Sequence, residues 1–119
     1  MKRTIFEPEH DTYRESVQRF WKEEAEPHFE EWEREGIIDK ALFTKAAEVG
    51  MLAMSVPEEY GGNGIADFRF NQIVAEEAAR AGLAGPGLSI TLHSDTCLPY
   101  FMEFCNDEQK ERWLPGIAS

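Results

Sequence analysis

Leu88-Ser-Ile-Thr-Leu-His-Ser-Asp-Thr-Cys-Leu-Pro-Tyr-Phe-Met-Glu-Phe104 is the stretch on which the fold turns. Almost every position in it that is not Ser, Thr, His, Asp or Glu is apolar, so the segment is hydrophobic nearly all round rather than along one stripe. That pattern predicts a buried central helix, bent at Pro99. Just beyond it, Asn106 followed by Gln109 has the spacing of a capping box and opens a last helix through Lys110, Trp113 and Leu114. Before it, a helix begins near Asp67 and runs through Phe70, Ile73, Val74 and Ala78 to Gly82. Further back, Val56-Pro-Glu-Glu-Tyr-Gly-Gly-Asn-Gly64 holds one Pro, three Gly and one Asn, which reads as an ordered loop.

The amino-terminal half reads as two amphipathic helices. From Pro8 to Glu35, Tyr13, Val17, Phe20 and Trp21 stand at helical spacing among acidic residues; Pro8 suits a first turn, Pro27 should kink the helix, and Gly36 ends it. Asp39 is placed to cap a second helix whose Leu42, Phe43, Ala46, Ala47 and Val49 form an apolar stripe stopped by Gly50. No run alternates with period two for long enough to demand a strand. The expected fold is all-α, five or six helices in a single domain over residues 1–119.

Composition narrows the functional classes. The chain has 119 residues, 23 acidic against 12 basic side chains and a net charge of -11, with excess acid in both halves. Without a basic stripe, nucleic acid and anionic membrane surfaces are disfavoured partners. The longest uncharged stretch, Ala81 to Ser94, is shorter than a bilayer requires and is broken by Pro86 and glycines. Met1 to Phe6 has no apolar stretch before Glu7 and Glu9, so it reads as neither a secretory signal nor a transit peptide, and the cytoplasm is the expected compartment. Cys97 and Cys105, eight apart in an apolar region, read as reduced, buried thiols.

Candidate chemistry is sparse. Glu7-Pro-Glu-His10 has the Glu-x-x-His spacing of bundle metal sites, but one copy at a helix start reads as a solvated terminus, and no metal is expected. His93 and Cys97 share a helix face and read as core packing. Ser89, His93, Ser94 and Asp95 include the residue types of a hydrolytic triad, yet neighbours on one helix point in divergent directions. Gly61, Gly62 and Gly64 have neither the preceding strand nor the following Lys-Ser or Lys-Thr of a phosphate loop. The run from Glu30 to Glu35 reads as a solvated helix face. No self-sufficient catalytic constellation emerges. One face remains: Leu88, Thr91, Leu92 and Asp95 follow i, i+3, i+4 and i+7 spacing, a surface that could line a pocket or equally belong to ordinary core packing.

Several segments, in order, resemble the amino-terminal helical domain of the acyl-CoA dehydrogenases: Phe6-Glu-Pro-Glu-His-Asp11, Ala46-Ala-Glu-Val-Gly-Met-Leu52, Pro57-Glu-Glu-Tyr-Gly-Gly-Asn-Gly64 and Asp107-Glu-Gln-Lys-Glu-Arg-Trp-Leu-Pro-Gly-Ile-Ala-Ser119. Gly85-Pro-Gly-Leu-Ser89 followed by His93-Ser94 resembles the long-chain branch. The resemblance implies two helical domains flanking a β-domain, with flavin adenine dinucleotide (FAD) held by the later two. It implies α,β-dehydrogenation of an acyl-CoA, in which a carboxylate of the last domain takes the α-proton. That base, the β-domain and the last domain have no counterpart in these 119 residues. By the same resemblance Leu88, Thr91, Leu92 and Asp95 line the acyl chain, electron-transfer flavoprotein receives the electrons, and the complete enzyme is a homotetramer. A stand-alone helical interaction module without activity is the alternative.

Overall fold

A computed structural model describes residues 3–119, and among them there is no strand. Helix α1 (Pro8–Phe20) carries Val17 and Phe20 inward. It continues through a wide π turn over Trp21–Ala25, where the Glu26 N–H reaches back five residues to the Trp21 carbonyl, and a 3-10 turn at Glu26–His28, into α2 (Phe29–Glu35). The expected kink at Pro27 is thus spread over two irregular turns, because Pro27 has no N–H to donate and its ring crowds the carbonyl four residues back. Gly36, at φ 71°, closes the rod in the left-handed conformation that a residue with a Cβ resists.

Helix α3 (Ala41–Glu48) buries Leu42 and Ala46, while Val49, expected on the same stripe, lies 44% exposed beyond its end. Asp39 begins the helix as the sequence implied, its carboxylate accepting the Ala41 N–H at 2.9 Å. Met51, Leu52, Ala53, Met54 and Val56 follow, all buried although they lie in no regular helix. The Pro57–Gly64 loop folds back on them: the Gly64 N–H meets the Val56 carbonyl at 2.9 Å and the Ile65 N–H meets Met54 at 2.8 Å.

Helix α4 (Phe68–Arg80) is the centre of the packing, against α1 on one side and α5 (Ala84–Thr91) on the other. Asp67 caps it, accepting the Arg69 N–H at 3.0 Å. Its buried residues include Ile73, Val74 and Ala78 at helical spacing, with Asn71 and Glu77 among them. Buried Glu77 is paired with Arg14 of α1 at 2.6 Å, as a charge taken out of water must be. Helix α5 runs on through a second π turn, Leu92–Cys97, into α6 (Leu98–Phe104). The capping box is present as read: Asn106 accepts the Gln109 N–H at 2.9 Å and Gln109 accepts the Asn106 N–H at 3.0 Å, opening α7 (Asp107–Ala118).

The fold class therefore matches the all-α expectation, with five helical rods if each π-turn-linked pair counts once. Three finer expectations are corrected. The Leu88–Phe104 rod is not buried all round: Ile90, Ser94 and Leu98 face inward, while Leu88, Leu92, Tyr100 and Phe104 lie 66%, 47%, 63% and 74% exposed. Its irregular turn precedes Pro99 rather than coinciding with it. Cys97 and Cys105 are unpaired as expected, but Cys97, at the end of the π turn, is exposed and Cys105, just past the end of α6, is half-buried.

Two glycines sit where a side chain has no room. A Cβ on Gly62 would lie 2.1 Å from the Val56 carbonyl oxygen, and one on Gly87 would lie 2.6 Å from the Ala78 Cβ, whereas Gly85 has open space. Gly62→Ala and Gly87→Ala are each expected to cost about 1–3 kcal/mol in urea unfolding. Gly85→Ala should cost less than either, since the only crowding a Cβ meets there is the ring of the following Pro86.

Candidate functional site

The exposed face of the α5–α6 rod carries Leu88, Leu92, Thr96, Tyr100 and Phe104, spaced four apart throughout. The inward set, Ile90, Ser94 and Leu98, has the same spacing. In a regular α-helix residues four apart drift steadily around the axis, because a turn takes 3.6 residues. The π turn at Leu92–Cys97, where the Leu98 N–H reaches the His93 carbonyl five residues back, takes more residues per turn and returns both sets to line. The outer set becomes a largely apolar stripe interrupted by Thr96, more than scattered surface hydrophobics would give.

Of the four residues expected to line an acyl chain, Leu88 and Leu92 lie on this stripe, and Thr91 and Asp95 are half-buried beside it. Within the chain they do not enclose a cavity. A shallow trough of about 170 Å³ lies against Leu88 and Thr91, walled by Ala75, Ala78, Leu83 and Gly87. Larger open clefts lie elsewhere; one of about 600 Å³ runs beside Trp32 and Ile37 and is rimmed by Glu24, Glu31, Glu35, Asp39 and Lys45. The Glu30–Glu35 run thus borders a cleft as well as solvent.

The polar residues of the π turn point to separate partners. His93 Nε2 donates to the Ile117 carbonyl at 2.9 Å, Ser94 Oγ accepts the Ala53 N–H at 2.8 Å, and Asp95 Oδ1 accepts from Asn71 Nδ2 at 2.5 Å. Ser89 donates to the Gly85 carbonyl of its own helix. No proton relay joins them, as the divergent directions implied. His93 is tied to α7 and Cys97 is exposed, which corrects the expectation that the two pack together in the core. Burial pushes the Asp95 carboxyl above its usual range, against the opposing pull of the Asn71 hydrogen bond. The buried Tyr13 hydroxyl is raised as well, by desolvation first and then by Asp95; it donates to the Gly50 carbonyl at 3.0 Å.

At the first helix, His10 is fully buried rather than solvated. Its Nδ1 accepts the Glu7 N–H at 2.9 Å and its Nε2 faces Asp67 Oδ2 at 3.0 Å, so both ring nitrogens are engaged. Glu7, Glu9 and His10 lie close together; Glu7 and His10 form the capping box of α1, and His10 ties it to Asp67 at the start of α4. A side-chain hydrogen bond from Arg69, outweighing desolvation, and a further one from His10 hold the Asp67 carboxyl well below the usual range.

The space beside Gly62 and Gly87, where a Cβ would not fit, is filled by Val56 and Ala78 of this chain. Sequence reading missed the Asn71–Asp95 pair; its one trace was an asparagine on the same helix face as Val74 and Ala78, which once buried requires a partner.

The family described as "Acyl-CoA dehydrogenase, N-terminal domain" matches residues 7–119. The chain is 42% identical over 117 residues to "Long-chain specific acyl-CoA dehydrogenase, mitochondrial" of Sus scrofa, covering 98% of this chain and 26% of that protein. Among solved structures, acyl-CoA dehydrogenase from Geobacillus kaustophilus superposes with a TM-score of 0.85 at 34% identity, over 98% of this chain and 30% of that one. A structure described as "Electron transferring flavoprotein of Acidaminococcus fermentans: Towards a mechanism of flavin-based electron bifurcation" superposes at 0.83 with 26% identity, over 98% of this chain and 30% of that one. The chain spans about a quarter of the length of the curated relatives it matches most strongly. No helix among the described residues is long and apolar enough to cross a membrane.

Because the folded state raises the Asp95 carboxyl, its contribution favours folding at low pH and is lost as the group ionises. Asp95→Asn should therefore raise the urea midpoint at neutral pH, and the gain should vanish below about pH 4. Asp67 has the opposite sign: its lowered carboxyl stabilises above the unfolded carboxylate range, and that stability is lost as pH falls.

Proposed function

This chain belongs to the acyl-CoA dehydrogenase family, and on that premise we propose that residues 1–119 are one helical domain of a larger flavoenzyme that oxidises long-chain acyl-CoA thioesters, supplying one wall of its acyl pocket. The observation that carries the reading is the outer stripe of the α5–α6 rod, apolar and uncovered on a helix whose other side is packed. Leu88, Thr91 and Leu92 form the wall and Asp95 its polar edge. Their exposure within the chain fits a pocket closed by segments outside it, the relatives being far longer than the matched stretch.

The contribution is physical rather than catalytic. A wall of leucines rewards each buried methylene with about 0.8 kcal/mol, so selectivity for long chains grows with the length of stripe the tail contacts. Covering the reacting end with apolar helix also keeps water away, which strengthens the hydrogen bonds that acidify a thioester α-proton. FAD, the proton-abstracting carboxylate, the contact with electron-transfer flavoprotein and most of a homotetrameric interface are assigned to the rest of the enzyme. The unpaired thiols suit a reducing compartment, and the cytoplasm is the one this reading takes.

The test is made on the complete enzyme carrying this domain. It should purify yellow and bleach when long-chain acyl-CoA is added. Leu92→Asp should lower kcat/KM about tenfold for long acyl chains, the loss of roughly two methylenes of contact, and much less for short ones. A colourless protein, in which no acyl-CoA reduces any flavin, overturns the reading in favour of a helical interaction module.

A further inference from the structure

The π turn presents three successive side chains to three different elements. His93 is bonded to α7 through Ile117, Ser94 to the buried Met51–Val56 segment through Ala53, and Asp95 to α4 through Asn71. Ala53 adopts φ 52°, a conformation that residues with a Cβ seldom take, and its N–H is satisfied by Ser94. The third tie differs in kind. It joins a charged acceptor to a donor that is itself only 9% exposed, at a point where burial already disfavours the ionised carboxylate. Hydrogen bonds to charged groups are stronger and more directional than neutral ones, and a buried carboxylate deprived of its donor pays a desolvation cost.

Resting on the functional reading above, we propose that Asn71 is a positioning residue that, by holding Asp95, fixes the rotational register of the Leu92–Cys97 turn and so sets chain-length selectivity without touching the acyl chain. The reason lies in the geometry of the stripe. Leu88 stands before the turn and Tyr100 and Phe104 after it, so a change in how many residues the turn absorbs rotates one half of the wall against the other. A long tail spans both halves, whereas a short one meets only one. Asn71 comes from α4, the helix against which α5 packs, so the reference for the register is the core itself.

The experiment compares the complete flavoenzyme with Asn71→Leu, which keeps volume and removes the donor, and with the double variant Asn71→Leu/Asp95→Leu. Replacing both partners by apolar groups can restore stability, but apolar contact is not directional and does not restore register. In Asn71→Leu, amide exchange across Leu92–Cys97 should accelerate about tenfold, the loss of one hydrogen bond to a charged group, and the ratio of kcat/KM for long over short acyl-CoA should fall by about as much. The double variant should recover the melting temperature while the ratio stays low. Asn71→Ala, which also removes the donor, is the substitution to use should Asn71→Leu fail to fold, and it should show the same two changes. Unchanged exchange, an unchanged ratio in an active variant, or a ratio restored along with stability in the double variant each overturn the inference alone. An unaltered enzyme inactive with every acyl-CoA overturns the functional reading and this inference with it.

Discussion

A proline cannot donate the hydrogen bond that a helix asks of it, and its ring presses on the carbonyl four residues earlier. The chain meets this constraint inside its helical rods at Pro27, Pro99 and Pro115, and at the first two the helix opens into a π turn that ends two residues before the ring. At Leu92–Cys97 the consequence is spatial. Without the wider turn, Ile90, Ser94 and Leu98 would wind away from α4, and Leu88 and Phe104 would face different ways. The inward packing and the outward stripe are thus two results of one backbone adjustment.

Around that rod, charge is handled by pairing. Glu77 is nearly buried beside Arg14 at 2.6 Å and Arg80 at 3.5 Å, and the Arg14 guanidinium lies 4.9 Å from the centre of the Phe6 ring. Such pairs are weak evidence for stability, since desolvation offsets most of the attraction. Their role here is to fix α1 against α4 in one alignment, with His10 doing the same nearer the amino terminus through Asp67. The hydrophobic contribution comes from Val17, Trp21, Ile73, Val74, Ile90 and Leu114, each 2% exposed or less.

Much of this was legible in the sequence. Helical spacing located α1, α3 and α4, Asp67 and the Asn106–Gln109 pair marked two helix starts, and the glycines of Pro57–Gly64 marked the turn. These features depend on residues close together in the chain. The π turns were not legible, because they answer to packing against distant elements, and neither was the burial of Met51–Val56, which follows no period. The Leu88–Phe104 rod shows the limit of composition most clearly: its apolarity indicated burial on all sides, whereas one side lies exposed among these residues. Leu92 and Ile90 look alike in the sequence and differ only in what stands opposite. His10 shows the reverse error, a charged-looking terminus that is buried because Asp67, 57 residues away, lies beside it.

The described structure is a slab of 40 × 40 × 20 Å, two helices thick. Its accessible surface is 7635 Å². A rounder monomer of the same 13.6 kDa mass would expose about 6600 Å² by the usual scaling of area with mass. The excess of about 1000 Å² is close to what one partner contributes to a protein interface of ordinary size. Thinness is therefore a debt of solvation, of a size that one neighbouring body laid flat against the slab would discharge.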